Sequence, residues 1–397
     1  MYEVIMKQWP LKNKWVVMRA DLNVPLDNGV IGDTWRLERI MPTLDYLLQH
    51  HASIVLIGHI GRPKLPLQEL STFHLMPFFK EKKYAIAFAQ TIQHVVQLQQ
   101  NITEPTIVLL ENLRFLPQEK TGDILLAQQL AQLGSYFVQD AFGSLHNNDT
   151  SIILLPEQFQ ANNRSIGFLV EQEITTLDHF ISLKTHKKVL IAGGSKVKEK
   201  IPYLIKISNV IPNILLTPPL ACTFLAAHGK NMGNSLIAPA MFEMCKQFMQ
   251  YAHTNNVNLQ LPIDFLVEQD GVLRYTTTDQ VPHNATVLSI GKRTEELFCN
   301  FISTMDAGVF NGPSGFIERP ETIQETIRLL KTVQQLPELH IIAGGDSVLF
   351  AQNLVSTNNK TYLSTGGGAT LYYIGNNNLP GLHPFNKADK NLTGSSH

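Results

Sequence analysis

Two sets of side chains in this 397-residue sequence have types and spacings suited to chemistry on anions. The first is cationic. Arg19, His59, Arg62, Arg114 and His146 each fall within a few residues of the end of a short apolar run, in WVVMRADLNVP, SIVLIGHIGRP, TIVLLENLRF and YFVQDAFGSLH. Arg36 follows a Gly-Asp-Thr turn and is expected to open a helix. A guanidinium is a planar fork that cannot be neutralised, so several converging on one place suit a carboxylate or a phosphate. Asp21 and Asn23 would bond hydroxyls or orient the arginines. The second set is glycine-rich: Gly193-Gly194-Ser195-Lys196, Gly344-Gly345-Asp346-Ser347 and Gly366-Gly367-Gly368, each after an apolar run. Glycines let the backbone approach a phosphate, and N–H groups at a helix start favour anions. Lys196 and Lys200, four residues apart, share one helical face beyond the first of these turns. Asp346, just after a double glycine, is a natural Mg²⁺ ligand beside phosphates.

The elements that must carry these groups repeat one grammar. A β-branched run is followed by a Gly- or Asp-bearing loop and then by helical spacing, as at Leu37, Ile40, Leu44 and Leu47. Apolar runs without alternation predict strands buried on both faces. Strand-loop-helix alternation over this length predicts an α/β protein with mostly parallel sheets. Ligands in such folds sit beyond the carboxyl ends of the strands, where both sets of residues lie. The halves differ in chemistry, with Arg and His loops first and Gly, Lys and Asp loops second. Between them GFLVEQEITTLDHFISL carries a stripe at Val170, Ile174, Leu177 and Ile181. The expectation is two doubly wound, Rossmann-like domains joined by a hinge helix, with domains at 1–170 and 171–379.

Composition excludes several classes. Lys plus Arg is 32 against 33 acidic residues, a net charge of -1, so no face is expected to be coated for nucleic acid. Three cysteines without a C-x-x-C pair exclude a disulfide framework and a thiolate zinc site. The first residues lack a signal peptide's apolar stretch, and no run reaches the ~18 residues of a membrane span, which predicts a cytoplasmic protein. There is no P-loop signature, no complete dinucleotide fingerprint, no G-x-S-x-G elbow and no HExxH.

Taken in order, RADLNVP (19–25), GHIGRPK (58–64), LLENLRF (109–115), QDAFGSLH (139–146), IAGGSKVKEKI, FNGPSGFIE (310–318), AGGDS and STGGGAT resemble the phosphoglycerate kinase family almost end to end. The resemblance implies 3-phosphoglycerate or 1,3-bisphosphoglycerate on the first domain, Mg-ATP or Mg-ADP on the second, and hinge closure between them. It implies that Asp21, Asn23, Arg36, His59, Arg62 and Arg114 bind the glycerate, with Asn147 at a further patch position. Arg36 would also stabilise the transferring phosphoryl group. Lys196 and Lys200 would lie along the nucleotide phosphates, Asp346 would carry Mg²⁺ and Glu318 would meet the ribose. Asn311, Pro313, Gly344 and Ser347 would lie near the nucleotide. Gly345 and Gly368 would offer amides to the transferred group. Residues 380–397 would pack back on the first domain, and a monomer without nucleic-acid or membrane partners is expected.

The sequence departs from the family pattern in places. After QDAFGSLH the family usually has Arg-x-His, and here Asn147, Asn148 and Asp149 follow. A family Gly-Gly-Gly-Met loop is replaced by Thr217-Pro218-Pro219-Leu220. Ala343 and Tyr372 replace a Gly and a Glu. Two readings follow: a working but divergent kinase, or an impaired relative that binds an anion or partner. Joint retention of Arg36, Lys196 and Asp346 favours the first.

Overall fold

The structure is a computed structural model that describes residues 2–386 apart from 195, 317–318, 353 and 355–358; the side chain of Asp346 also lies outside the described part. Residues 2–175 with 379–386 form one compact unit, and residues 176–378 form the other.

In the first unit, strands β1 (Trp15–Ala20), β2 (Ser53–Ile57), β3 (Ile86–Ala89), β4 (Ile107–Leu110), β5 (Tyr136–Asp140) and β6 (Arg164–Ile166) make one sheet, ordered β3-β4-β2-β1-β5-β6. Every pairing is parallel. Strand β5 is buried at every residue and β1 at all but Trp15, which explains their unbroken apolar runs. A core of Val17, Val55, Val108, Leu130 and Phe137 packs on the sheet. The winding reverses at β1, which has β2 on one side and β5 on the other. A crevice therefore opens beyond the carboxyl ends of β1 and β5.

Three helices aim residues at that crevice. Helix α1 (Trp35–Gln49) buries Leu37, Ile40, Leu44 and Leu47, the predicted stripe, and holds Arg36 in its first turn. Helix α2 (Gln118–Thr121) follows the turn beyond β4 that carries Arg114, and helix α3 (Thr150–Glu157) follows the end of β5, where Asp140 stands.

Helix α4 (Phe168–Ser182) runs unbroken through the division at residues 175 and 176. It buries Val170, Ile174 and Leu177 of the expected stripe, with Phe180 buried in place of the partly exposed Ile181. Asp140, at the end of β5, accepts from the Val170 amide at 3.1 Å and so satisfies a first-turn donor. The Phe168 amide donates to Thr43 Oγ1 of α1 at 3.0 Å. Residues 379–386 return to the first unit: the Gly381 amide donates to Leu145 O at 2.9 Å, and Phe385 stacks on Phe137. The remaining tail lies outside the described residues.

The second unit contains β7 (Lys188–Ala192), β8 (Asn213–Leu216), β9 (Asn258–Gln260), β10 (Asp264–Gln269), β11 (Val272–Thr277), β12 (Thr286–Ile290), β13 (Ala307–Asn311), β14 (His340–Ala343) and β15 (Thr361–Ser364). Its main sheet is β9-β8-β7-β13-β14-β15, parallel throughout, with the reversal between β7 and β13. A smaller antiparallel sheet, β11-β10-β12, departs from the parallel grammar. Its hairpin turns at Asp270 and Gly271, both with positive φ, the geometry an Asp-Gly pair favours. Helices α5 (Val197–Lys200), α6 (Gly345–Ala351) and α7 (Gly367–Asn376) each start just beyond a glycine-rich strand end.

Candidate active site

In the first unit the sequence-predicted groups gather at the carboxyl end of the sheet, with one reassignment. Arg19 is wholly buried and its fork is spent inside the protein. Nε donates to Ser151 Oγ at 2.9 Å, one terminal nitrogen to Ala20 O at 2.5 Å, and the other meets His59 Nδ1 at 2.8 Å. Arginine can only donate, so His59 Nδ1 accepts and its proton sits on Nε2. Arg19 therefore sets the tautomer of His59 rather than facing an anion. The balance of charges agrees: burial first, then Arg19, Arg114, Lys120 and Arg36, hold His59 well below the usual histidine range. His59 offers an N–H, not a charge.

Around it, Arg36 donates to Asn23 O at 2.5 Å, and Asn23 Oδ1 accepts from the Gly61 amide at 2.8 Å. Arg114 donates to Gly61 O at 2.9 Å and to Asp149 Oδ2 at 3.2 Å. Asn112 braces the same loops by donating to Ile60 O and Leu70 O, each at 2.8 Å. Arg62 is exposed, and Asn147 is half-buried nearby in sequence. The buried atoms without a hydrogen-bond partner among the described residues include Asp21 Oδ2 and Arg114 Nε. A buried acceptor and a buried donor left unmade each cost about 1–3 kcal/mol, a cost that a ligand carrying hydroxyl and anionic oxygens would relieve.

Two buried groups make the pH dependence of stability separable. The unfolded chain protonates His59 below about pH 6.5 while the folded chain resists, so the unfolded form binds more protons and stability falls as pH drops. Asp140 is pushed up to about 7, chiefly by burial, against its bonds to Thr43, Val170 and Leu169 and the charge of Arg39. Between about pH 4 and 7 the folded form keeps a proton that the unfolded carboxylate has lost. This contribution therefore falls as pH rises through that window. Asp140→Asn is expected to gain stability relative to the parent as pH rises from 4 to 8, by an amount on the order of 4 kcal/mol. Thermal melts across that range check it; a difference that does not change with pH would contradict it.

In the second unit three strand ends and their loops are locked together. Gly312 has φ 113, and a Cβ there would lie 2.4 Å from Gly193 C. A Cβ on Gly193 would strike Thr217 Oγ1 at 1.9 Å. Both positions are closed to any larger residue. Asn311 Nδ2 donates to Ala343 O at 3.1 Å and Gly367 O at 3.3 Å, joining β13, β14 and the start of α7. Ser347 Oγ, buried on α6, accepts from the Gly312 amide at 2.8 Å. Lys200 Nζ reaches Gly193 O and also donates to Asn311 O at 2.9 Å, bridging the two strands at the reversal. Lys196 is solvent-exposed just before α5. Gly344, φ 101, turns the chain into α6, so that Gly345 and Asp346 open that helix, while Gly368 sits in the first turn of α7. First-turn amides lack intrahelical acceptors and concentrate positive potential.

Among the departures, Thr217 Oγ1 lies 3.4 Å from Pro313 O, and the Gly194 amide donates to Pro218 O at 3.3 Å. The Thr-Pro-Pro segment thus lies against the first glycine turn. Tyr372 packs on Tyr203, ring centroids 5.2 Å apart. The side chain of Asp346 and all of Glu318 lie outside the described residues.

The first doubly wound unit thus carries arginines and a neutral histidine at its strand ends, and the second carries glycine-rich helix starts with an exposed lysine, the groups an enzyme acting on phosphorylated anions would need. The family model for phosphoglycerate kinase matches residues 6–377. A phosphoglycerate kinase from Roseiflexus sp. (strain RS-1) is 31% identical over 387 residues, covering 94% of this chain and 97% of that protein. Among solved structures, phosphoglycerate kinase from Coxiella burnetii superposes with a TM-score of 0.75 at 27% identity, over 97% of this chain and 99% of its own. That from Pyrococcus horikoshii OT3 gives 0.80 at 24% identity, over 97% and 98%, and speaks to the fold. The chain belongs to the phosphoglycerate kinase family and is a kinase that transfers a phosphoryl group to a carboxyl group.

Proposed function

We propose that this chain catalyses reversible phosphoryl transfer between 1,3-bisphosphoglycerate with ADP and 3-phosphoglycerate with ATP, with the glycerate on the first unit and the nucleotide on the second. The observation that carries the assignment of the first unit is the pair of buried unmade bonds, Asp21 Oδ2 and Arg114 Nε, beside the neutral His59. An acceptor for a hydroxyl, a donor for an anionic oxygen and an N–H donor match a hydroxy acid bearing phosphate and carboxylate. Asn23, Arg62 and Asn147 complete that surface, and Arg36 faces the transferred group.

Phosphoryl transfer asks little covalent help from a protein; it needs alignment and positive charge around the equatorial oxygens. Arg36 would supply one side. Lys196 and the amides of Gly345 and Gly368 would supply the other, with Gly344, Asn311, Pro313 and Ser347 holding those amides in place. Lys200 holds the two strand ends together through two carbonyls, and its ammonium would meet a nucleotide phosphate from that position. Glu318 would contact the ribose. Because the two sets of groups belong to different units, turnover requires hinge bending along the chain near α4, which would also keep water from the acyl phosphate.

Magnesium fits this reading. Among the described residues no three His, Cys, Asp or Glu side chains come together as a metal cage. A hard cation would be shared between substrate phosphates and the carboxylate of Asp346, a role its residue type and its place after a double glycine suit. When bound, Mg²⁺ would offset the charge of those phosphates. A cytoplasmic monomer without nucleic-acid or membrane partners is in keeping with the net charge of -1, and no described helix is long and apolar enough to cross a membrane.

The test is a coupled assay with Mg-ATP and 3-phosphoglycerate on the folded protein. Turnover is expected. Its absence at millimolar substrates would favour the impaired reading instead.

A further inference from the structure

The corner of the first unit between α2 and α3 holds a cation outside the family pattern quoted above. Helix α2 is bolted down on both sides. Glu119, wholly buried, accepts from Ser151 N at 3.0 Å and from Ser151 Oγ at 2.6 Å. Thr150 Oγ1 donates to Gln118 O at 2.7 Å and accepts from Asp123 N at 2.9 Å. Lys120 therefore leaves a backbone with little freedom. Its Nζ lies 2.6 Å from Asp149 Oδ1, while Arg114 holds the other oxygen at 3.2 Å. The Asp149 carboxylate is wholly buried and the Arg114 side chain is 8% exposed, but the Lys120 side chain is 56% exposed.

Charge counting gives this trio its meaning. Arg114 and Asp149 sum to zero, so on their own they would present a neutral corner to an anion. Lys120 returns the trio to +1, and it is the member that reaches solvent. Asp149 stands two residues from Asn147, where the resembled pattern has an arginine. Residues two apart are separated by no more than about 7 Å, within the reach of a lysine side chain.

We propose that Lys120 is a substrate-binding residue, its ammonium supplying to the anionic oxygens of phosphoglycerate the charge that Asn147 lacks, and that Asp149 is the positioning residue that aims it. An ammonium has three donors and no acceptor, so bonding Asp149 leaves donors for a ligand. The influence of Lys120 on His59, alongside Arg19, Arg114 and Arg36, places it in the same field. The proposal rests on the assignment of the glycerate to the first unit.

Calorimetric titration of the full chain with 3-phosphoglycerate, joined to steady-state kinetics and thermal melts, tests it. Lys120→Met is expected to weaken 3-phosphoglycerate binding about ten- to a hundredfold while leaving the KM for Mg-ATP unmoved. Lys120→Arg keeps the charge and is expected to bind as the parent does. Adding Asn147→Arg to Lys120→Met is expected to recover most of the loss, a rescue that a merely structural lysine would not allow. If Lys120→Met does not fold, Lys120→Gln removes the charge but keeps an N–H donor for the buried Asp149 carboxylate, and the same loss is expected. A folded Lys120→Met or Lys120→Gln that binds within about twofold of the parent overturns the proposal and leaves the glycerate assignment standing. A parent protein that neither binds nor turns over 3-phosphoglycerate overturns both.

Discussion

Lys196→Ala is expected to lower kcat by roughly 10²–10³-fold while raising the KM for nucleotide by less than about tenfold. The asymmetry follows from where the lysine stands. It is exposed at the entrance to α5, after a glycine turn fixed by the close approach of Gly193 and Gly312. Among the described residues no hydrogen bond or ion pair anchors its ammonium, whereas Lys200 reaches two carbonyls. A cation that finds its partner only as charge moves onto the transferring oxygens contributes to the transition state more than to ground-state binding. Lys196→Arg is expected to recover only part of the loss, because a planar fork does not replace a compact point charge. Steady-state kinetics with both substrates varied will check this. A near-normal kcat in Lys196→Ala would remove the lysine from the transition state.

Arg36→Ala is expected to lower kcat by a similar or larger factor, about 10³-fold, with the fold intact. Arg36 sits in the first turn of α1, whose stripe of Leu37, Ile40, Leu44 and Leu47 is buried independently of the guanidinium. Its hydrogen bond to Asn23 O aims the fork, and Asn23 in turn holds the Gly61 amide. Removing the side chain would thus take charge from the proposed reacting group without opening the core. Arg36→Lys is expected to rescue weakly, since a bidentate contact cannot be reproduced. An Arg36→Ala protein with unchanged kcat but weaker 3-phosphoglycerate binding would make the arginine a ground-state contact only.

Much of this site can be read along the chain because its residues stand at strand ends. A run such as KVLIA followed by Gly-Gly announces both a buried parallel strand and the loop beyond it, and the loop's composition announces its ligand. The α1 stripe and the α4 stripe are legible for the same reason, since periodicity is a local property. The hairpin at Asp270 and Gly271 was equally local, an Asp-Gly pair between β-branched runs, yet it is overlooked when everything is read as parallel.

Other features depend on pairings that no window of sequence contains. Arg19 and Ser151 are 132 residues apart and meet only because β1 and β5 are neighbours in the sheet. That contact turns an apparent anion-binding arginine into the residue that sets the tautomer of His59. Asn311 and Ser347 look like loop residues; folded, they are struts between adjacent strand ends. Lys120 lies in a short helix with no strand-end signal, and Asp149 looks like a lost histidine. Only their contact shows a charge replaced rather than removed. Residue order sets which chemical groups reach the ends of strands, because hydrophobic spacing and glycine turns act over a few residues. Which of those groups face a ligand, and which are consumed in holding the others, is set by strand order and burial, because a buried polar atom must be satisfied by whatever the fold brings beside it.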